Sequence, residues 1–384
     1  MAPLILFYIL DFDEVISMNN NIKSIVVTIS FIIIIGGIML VNIIVPDKEF
    51  SYSERRRLMT IPDFSAEKLL KGKLVDEYER YILDQFIFRD FFRGLKAKGK
   101  YYLFNQKDNN DIYIINGIIE KMKYKLDEKS VFNAANKLNE IYEKYLNDKN
   151  VAYAIIPDKG YFIAEQNGYL TINYDRLIEI MEQNVLSMKY INLFETLTIE
   201  DYYKTDIHWR QEKIIKIADL LLNDLRNDVK ASSAKYTQHK LYPFYGSYYG
   251  HAALKLEPDT MFYLTNKVIE NAVVFDHQLN DFNRVYSTEL FNGMDSYDVF
   301  LSGAKPLITI YNEDCKNNKE LLLFRDSFGS SIAPLMLEGY SRITLIDLRY
   351  ISTDLLESYI DFSQDQDVLF LYNTGILNDS YMLK

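Results

Sequence analysis

Only one cysteine, Cys315, occurs among the 384 residues. A single thiol excludes an intrachain disulfide framework and any multi-cysteine zinc or iron–sulfur site. Glycine and proline are scarce too, at 15 and 8, which excludes collagen-like and linker-rich chains. Basic residues are outnumbered, 43 Lys and Arg against 54 Asp and Glu, and the net charge of -11 argues against a general nucleic-acid binder. Histidine occurs only four times, so an imidazole-based site must use His208, His239, His251 or His277. What abounds is aromatic: 31 tyrosines and 23 phenylalanines. Such content suits large cores and sugar-stacking surfaces, but it also follows from the codon bias of an AT-rich genome, as do the many Ile, Lys and Asn. With 48% hydrophobic and 25% charged residues, most of the chain is globular rather than disordered. The length allows one large or two modest domains plus an appendage.

Residues 25–45 read IVVTISFIIIIGGIMLVNIIV, 21 residues without a charge. At ~1.5 Å per residue this run spans roughly 31 Å, the thickness of a hydrocarbon core. A cleaved signal peptide has a shorter apolar core and a small-residue cleavage site, whereas this run ends in Val45-Pro46-Asp47. An uncleaved signal anchor with a single span is therefore expected. Residues 1–17 are apolar and then acidic, unlike a basic leader; translation is expected to start at Met18, and otherwise residues 1–24 form a cytoplasmic tail. Lys23 precedes the span, and Lys48, Arg55, Arg56 and Arg57 follow it. A positive-inside count would keep the C-terminal side in the cytoplasm, yet long domains translocate largely regardless of charge.

Residues 46–110 read as a helical juxtamembrane region. Ser65 is a candidate N-cap for AEKLLKGKLVDEYERYILDQF, with Leu70, Leu74, Tyr78, Tyr81 and Ile82 at helical spacing. From residue 111 to 384 a single α/β domain is expected. A short apolar run at 112–119 predicts a strand or hairpin. Short β-rich runs at 151–157, 190–194, 321–326, 342–348 and 368–372 alternate with amphipathic stretches at 129–147, 173–187, 211–226, 330–338 and 353–360. That alternation predicts a parallel sheet covered by helices on both faces. Residues 236–300, rich in Tyr, Phe, Asn, Asp and Gly, look like an insertion over the sheet edge.

In an open α/β sheet the chemistry sits outside the carboxyl ends of the strands. After the run LLLF comes Arg325-Asp326-Ser327-Phe328-Gly329, then a helix. A serine at such a turn is exposed beside free helix-start N–H groups, as a nucleophile requires. The plainer alternative is a helix N-cap. A serine nucleophile needs a base, and His208 stands in Tyr203-Lys204-Thr205-Asp206-Ile207-His208-Trp209. In an extended segment Asp206 and His208 project to one side, so the carboxylate can hold the imidazole tautomer. A solvated loop histidine and half of a metal site are the alternatives, and no third ligand shows clear spacing. Trp209 reads as core rather than as a sugar-stacking wall.

The stretch Thr205–Trp209 (TDIHW), followed by RDSFG and then IDLRY, resembles the DHHW family, in the alginate O-acetyltransferase-like branch of the SGNH hydrolases. The resemblance extends to Glu54-Arg55-Arg56-Arg57-Leu58, to Ile61-Pro62-Asp63-Phe64, to residues 84–90 (DQFIFRD) and to Pro157-Asp158-Lys159. It covers roughly residues 46–384. It implies an SGNH-like fold with Asp206, His208 and Ser327 as the catalytic triad. Ile207 stands where the family has its first histidine, so a metal or second-base role is not expected there. Arg325 replaces the glycine of the GDS form of the nucleophile motif. The oxyanion glycine and asparagine of ordinary SGNH enzymes have no clear match; the backbone N–H of Ser327, with Gly329, is expected to hold the oxyanion, and Asn373, at the end of the last strand, is a candidate from position alone.

The resemblance further implies a membrane-anchored, extracytoplasmic O-acetyltransferase acting on a cell-surface or secreted polysaccharide, with a membrane-bound O-acyltransferase as acetyl donor. No cofactor and no metal are called for. An acetyl esterase with the same triad, and a non-catalytic polysaccharide-binding or assembly subunit, are the competing expectations.

Overall fold

The computed structural model describes residues 20–51, 53–315 and 318–384. The choice between Met1 and Met18 as the start, and all but the end of the expected cytoplasmic tail, lie outside these residues. The described residues divide into two compact units, residues 20–51 with 56–93, and residues 53–55 with 94–315 and 318–384.

In the first unit, helix α1 spans Asn20–Ile44. Its stretch Ile22–Ile44 is long and apolar enough to cross a membrane, and none of it is buried. The Asn42 side chain near its end accepts a hydrogen bond from the Ile87 N–H at 2.8 Å. The single helix expected from residue 66 is broken in two. Ala66–Leu70 is capped by Ser65, as expected, and Gly72 then turns left-handed at φ 74° before α2, Lys73–Gln85. Glycine tolerates that conformation without steric cost, so the break falls there.

The second unit is built on an eight-stranded sheet. Along the chain its strands are β1 (Asn150–Ile156), β2 (Lys189–Asn192), β3 (Val273–Asp276), β4 (Asp281–Asn283), β5 (Leu307–Tyr311), β6 (Glu320–Arg325), β7 (Arg342–Ile346) and β8 (Gln366–Asn373). Their spatial order is β4-β3-β5-β7-β6-β8-β1-β2. Five strands, β7-β6-β8-β1-β2, run parallel and form the expected core. The other three, β4, β3 and β5, extend it antiparallel. Two of these, β3 and β4, come from the 236–300 segment, which thus prolongs the sheet. That segment also folds a hairpin, Thr237–Phe244 against Asp259–Thr265. The run at 112–119 is a hairpin, Ile112–Ile115 with Ile118–Lys121.

Strand alternation sorts the core into two layers. Ala152, Ala154, Leu321, Leu323, Leu369 and Leu371 face one side, against α5 (Ile215–Asp224) and α6 (Gly329–Met336). Val151, Tyr153, Leu322, Phe324, Val368 and Phe370 face the other, against α3 (Glu128–Ile141) and α4 (Tyr174–Asn184). Both faces being covered is why these strands read as continuous apolar runs. The stretch 353–360 forms a 3₁₀ turn, Thr353–Ser358, rather than an α-helix. The parallel strands β1, β6 and β8 end together: Asn373 pairs with Ile156, and Leu371 with Arg325.

Candidate active site

The motif Arg325–Gly329 leaves the end of β6 and enters α6 in a tight turn. Asp326 shapes it. Its Oδ1 accepts from the Phe328 N–H at 2.9 Å, and its Oδ2 accepts from the Asn373 N–H at the end of β8, at 2.7 Å. Burial pushes the Asp326 carboxyl up, while Arg349 and these N–H groups oppose that rise. Gly329 is required by packing, because a Cβ there would lie 2.6 Å from Arg325 Cβ. Within residues 321–336 only Ser327 is not buried. Its side chain caps no helix. Its Oγ instead lies 2.7 Å from His208 Nε2.

His208 and Asp206 sit on the loop before α5. Asp206 Oδ1 lies 2.6 Å from His208 Nδ1 and also accepts from the His208 N–H at 3.0 Å. Asp206 Oδ2 accepts from the Ser247 N–H at 2.6 Å, and Arg55 Nη1 stands 3.7 Å away. Burial alone would raise the fully buried Asp206 carboxyl, but His208, Arg55 and the Ser247 N–H together hold it well below the usual carboxylate range. An ionised Asp206 can only accept, so neutral His208 donates from Nδ1 and its Nε2 is left to accept the Ser327 proton. The three residues named from sequence are thus brought together in one hydrogen-bonded series, Ser327, His208, Asp206.

Side chains not singled out in the sequence build the surroundings. Tyr297 stacks on the His208 ring, centroids 3.7 Å apart and planes 6° off parallel. Its hydroxyl donates to Ser331 Oγ at 2.8 Å, and Trp209 Nε1 donates to the same oxygen at 2.8 Å. Trp209 is fully buried, so it is core and braces the nucleophile turn. Asp259, from the 237–265 hairpin, accepts from the Thr205 N–H and hydroxyl, both at 2.7 Å. Lys159, of the Pro157-Asp158-Lys159 motif, is buried and donates to the carbonyls of Tyr203 and Lys204 at 3.3 and 3.2 Å. The loop carrying Asp206 is therefore clamped from both sides. Ile207, partly buried, packs against the core.

Gly329 and Asn373, named by position for the oxyanion, hold the turn and the strand ends together. The Gly329 N–H donates to Asp326 O at 3.1 Å, inside the turn. The Asn373 side chain accepts from the Gly375 N–H at 2.8 Å and donates to Ile156 O at 3.1 Å, so it ties strand ends together. The Ser327 N–H makes no hydrogen bond among the described residues and remains available to an oxyanion. Nothing in sequence spacing marked Tyr297, Ser247 or Asp259, because each reaches the segment Thr205–His208 across more than 30 residues. Arg55 and Lys159 did carry a signal, as parts of motifs, but without a role.

A serine, a histidine and an aspartate thus converge at the end of a helix-covered α/β sheet, where open α/β sheets place their sites. A family model described as "DHHW protein" matches residues 162–346, bearing out the resemblance read from the motifs. No curated protein matches. Among solved structures, a DHHW family protein from Eubacterium siraeum is 21% identical, over 70% of this chain and 93% of its own, at a TM-score of 0.58. PatB1 of Bacillus cereus is 20% identical, over 70% and 97%, at 0.55, and has also been solved with a sulfonyl adduct. The O-acetyltransferase domain of Pseudomonas putida AlgJ is 10% identical, over 70% and 93%, at 0.41.

Proposed function

We propose that this protein is a membrane-anchored O-acetyltransferase that acts outside the cytoplasm on a polysaccharide. The observation that carries the chemistry is the hydrogen-bonded series Ser327 Oγ, His208 Nε2, His208 Nδ1, Asp206 Oδ1, at 2.7 and 2.6 Å. His208 takes the Ser327 proton as Oγ attacks the acetyl carbonyl of a donor. The Ser327 N–H stabilises the oxyanion. His208 then protonates the leaving group, and the acetyl group stays on Ser327. A sugar hydroxyl attacks that ester, with His208 again as base, and regenerates the serine. Asp206 keeps the imidazole oriented and stabilises its protonated form.

The apolar stretch Ile22–Ile44 supports an anchor. With residues before 25 inside the cell and the domain outside, acetyl groups must be delivered across the membrane, and a membrane-bound O-acyltransferase is the donor that fits. The same triad would serve an acetyl esterase if water outcompeted sugar at the acetyl-serine, so acceptor dependence separates the two activities. In a non-catalytic subunit Ser327 would serve as a helix cap, but its Oγ is turned to His208 instead.

The test is Ser327→Ala, assayed for hydrolysis of a chromogenic acetyl ester and for acetyl transfer to oligosaccharides. Both activities should disappear while the melting temperature stays within a few degrees, since the partly exposed side chain contributes little packing. Mass spectrometry should find an acetyl group on the Ser327 peptide only in the unmutated protein. Full activity in the variant would refute the proposal.

A further inference from the structure

We infer that Arg55 positions the Asp206–His208 pair, so that a short segment following the apolar helix in sequence completes the site. This rests on Ser327, His208 and Asp206 being the acyl-transfer triad. Arg55 Nη1 lies 3.7 Å from Asp206 Oδ2 and 2.6 Å from Asp295 Oδ1, while its Nη2 donates to Tyr245 O at 2.6 Å. The guanidinium is thus forked between the triad carboxylate, a second carboxylate and a backbone carbonyl. Only 12% of its side chain is exposed, and Asp206 is fully buried.

The backbone around Arg55 is built for this placement. Arg55 takes a left-handed conformation, φ 53°, which a long side chain adopts only when its surroundings impose it. Ser53 lies so close to Gly250 that any Cβ at 250 would collide with the Ser53 carbonyl. Residues 53–55 are therefore seated on the loop 245–250. That loop also supplies the Ser247 N–H to Asp206 Oδ2 at 2.6 Å. Charge and hydrogen bond reach the same oxygen, on the side away from the imidazole. Held this way, Asp206 stays ionised and presents Oδ1 to His208.

Arg55 also places a fixed positive charge beside the Asp206–His208 pair. Asp295 and Asp298 oppose it, and buried Lys159 adds a second cation acting on Asp206. Arg55 touches no reacting atom, so its loss should appear in turnover and in the pH profile rather than in substrate affinity.

The experiment compares Arg55→Met and Arg55→Lys, in the full chain, with the unmutated protein and Ser327→Ala, using a chromogenic acetyl ester across pH 5–9. For Arg55→Met, kcat should fall ~10–100-fold with KM within about twofold. Its acidic limb should move up, because a cation beside the pair is gone. Arg55→Lys should restore the limb but only part of kcat, since an ammonium lacks the planar, rigid fork of a guanidinium. Asp295→Asn should shift the limb the opposite way and serves as the test if Arg55→Met does not fold. The loss in Arg55→Met/Asp206→Asn should be no larger than in Asp206→Asn alone. Unmutated kcat and limb in Arg55→Met, with Ser327→Ala inactive, would overturn the inference. So would additive losses in the double variant, or an unmoved limb in Asp295→Asn. Activity in Ser327→Ala would overturn the triad itself, and this inference with it.

Discussion

Asp206→Asn is the sharpest probe of the site because every atom of the carboxylate is engaged. Oδ1 accepts from the His208 Nδ1–H and the His208 N–H, at 2.6 and 3.0 Å. Oδ2 accepts from the Ser247 N–H at 2.6 Å and faces Arg55 at 3.7 Å. An asparagine must turn its NH₂ toward one of these sets. Facing Ser247 and Arg55, it sets donor against donor. Facing His208, it forces Nδ1 to accept, puts the proton on Nε2, and removes the base from Ser327. Either way the imidazolium formed during acyl transfer loses its counter-charge. At an effective dielectric of ~20 and a separation of ~4 Å, that attraction is about 4 kcal/mol, or about three decades in rate. In serine proteases the same change costs about 10⁴ in turnover; a loss of ~10²–10⁴ in kcat is expected here. Steady-state ester hydrolysis from pH 6 to 9 checks it, with circular dichroism confirming the fold. A rate unchanged across that range would mean that Asp206 does not serve His208.

Further outcomes follow from the same contacts. Gly246→Ala would drive a Cβ into the backbone of Thr205 and Asp206, so a stability loss of about 1–3 kcal/mol in urea melts and a loss of activity are expected; unchanged melts and rates would refute the close approach. Burial pushes the Glu120 carboxyl up to about 7, with nearby Asp158 also raising it and Lys159 and Lys123 pulling it down. Between about pH 4.5 and 7 the native state then holds more protons than the unfolded chain, and stability falls as pH rises through that window. Glu120→Gln should flatten this slope, and an identical slope in both proteins would count against a protonated Glu120. A tag after Lys384 should be accessible to protease in intact, wall-stripped cells and one before Ile25 should not; protection of the C-terminal tag would reverse the proposed topology and remove the need for a membrane donor.

Much of the fold was legible because strands buried on both faces leave unbroken apolar runs. The runs at 151–157, 190–194, 321–326, 342–348 and 368–372 correspond to β1, β2, β6, β7 and β8. These are the five parallel strands. The antiparallel strand β5, Leu307–Tyr311, is as apolar as its neighbours but has no amphipathic helix before it, so alternation did not mark it. Strand β4 lies at the sheet edge and β3 beside it, and exposed positions interrupt the apolar pattern of both. Gly72 within LLKGKL was a visible break that helical periodicity overrode.

At the site, sequence by itself determined the chemistry of the parts: one serine at a strand-to-helix turn, and one histidine two residues from an aspartate. Both are local facts, since turn geometry and the i to i+2 relation are set by neighbouring residues. Only the tertiary structure decided that Ser327 and His208, 119 residues apart, meet at 2.7 Å. It also decided that Gly329 and Asn373 spend their polar groups on the turn and the strand ends. The 236–300 segment, read as an edge insertion, supplies Ser247, Asp259 and Tyr297 to the histidine loop. Arg55, which in sequence counted only toward topology and a motif, stands behind Asp206. Such contacts join chemically ordinary residues across long loops, and their cost and reward arise only when the sheet brings the loops together.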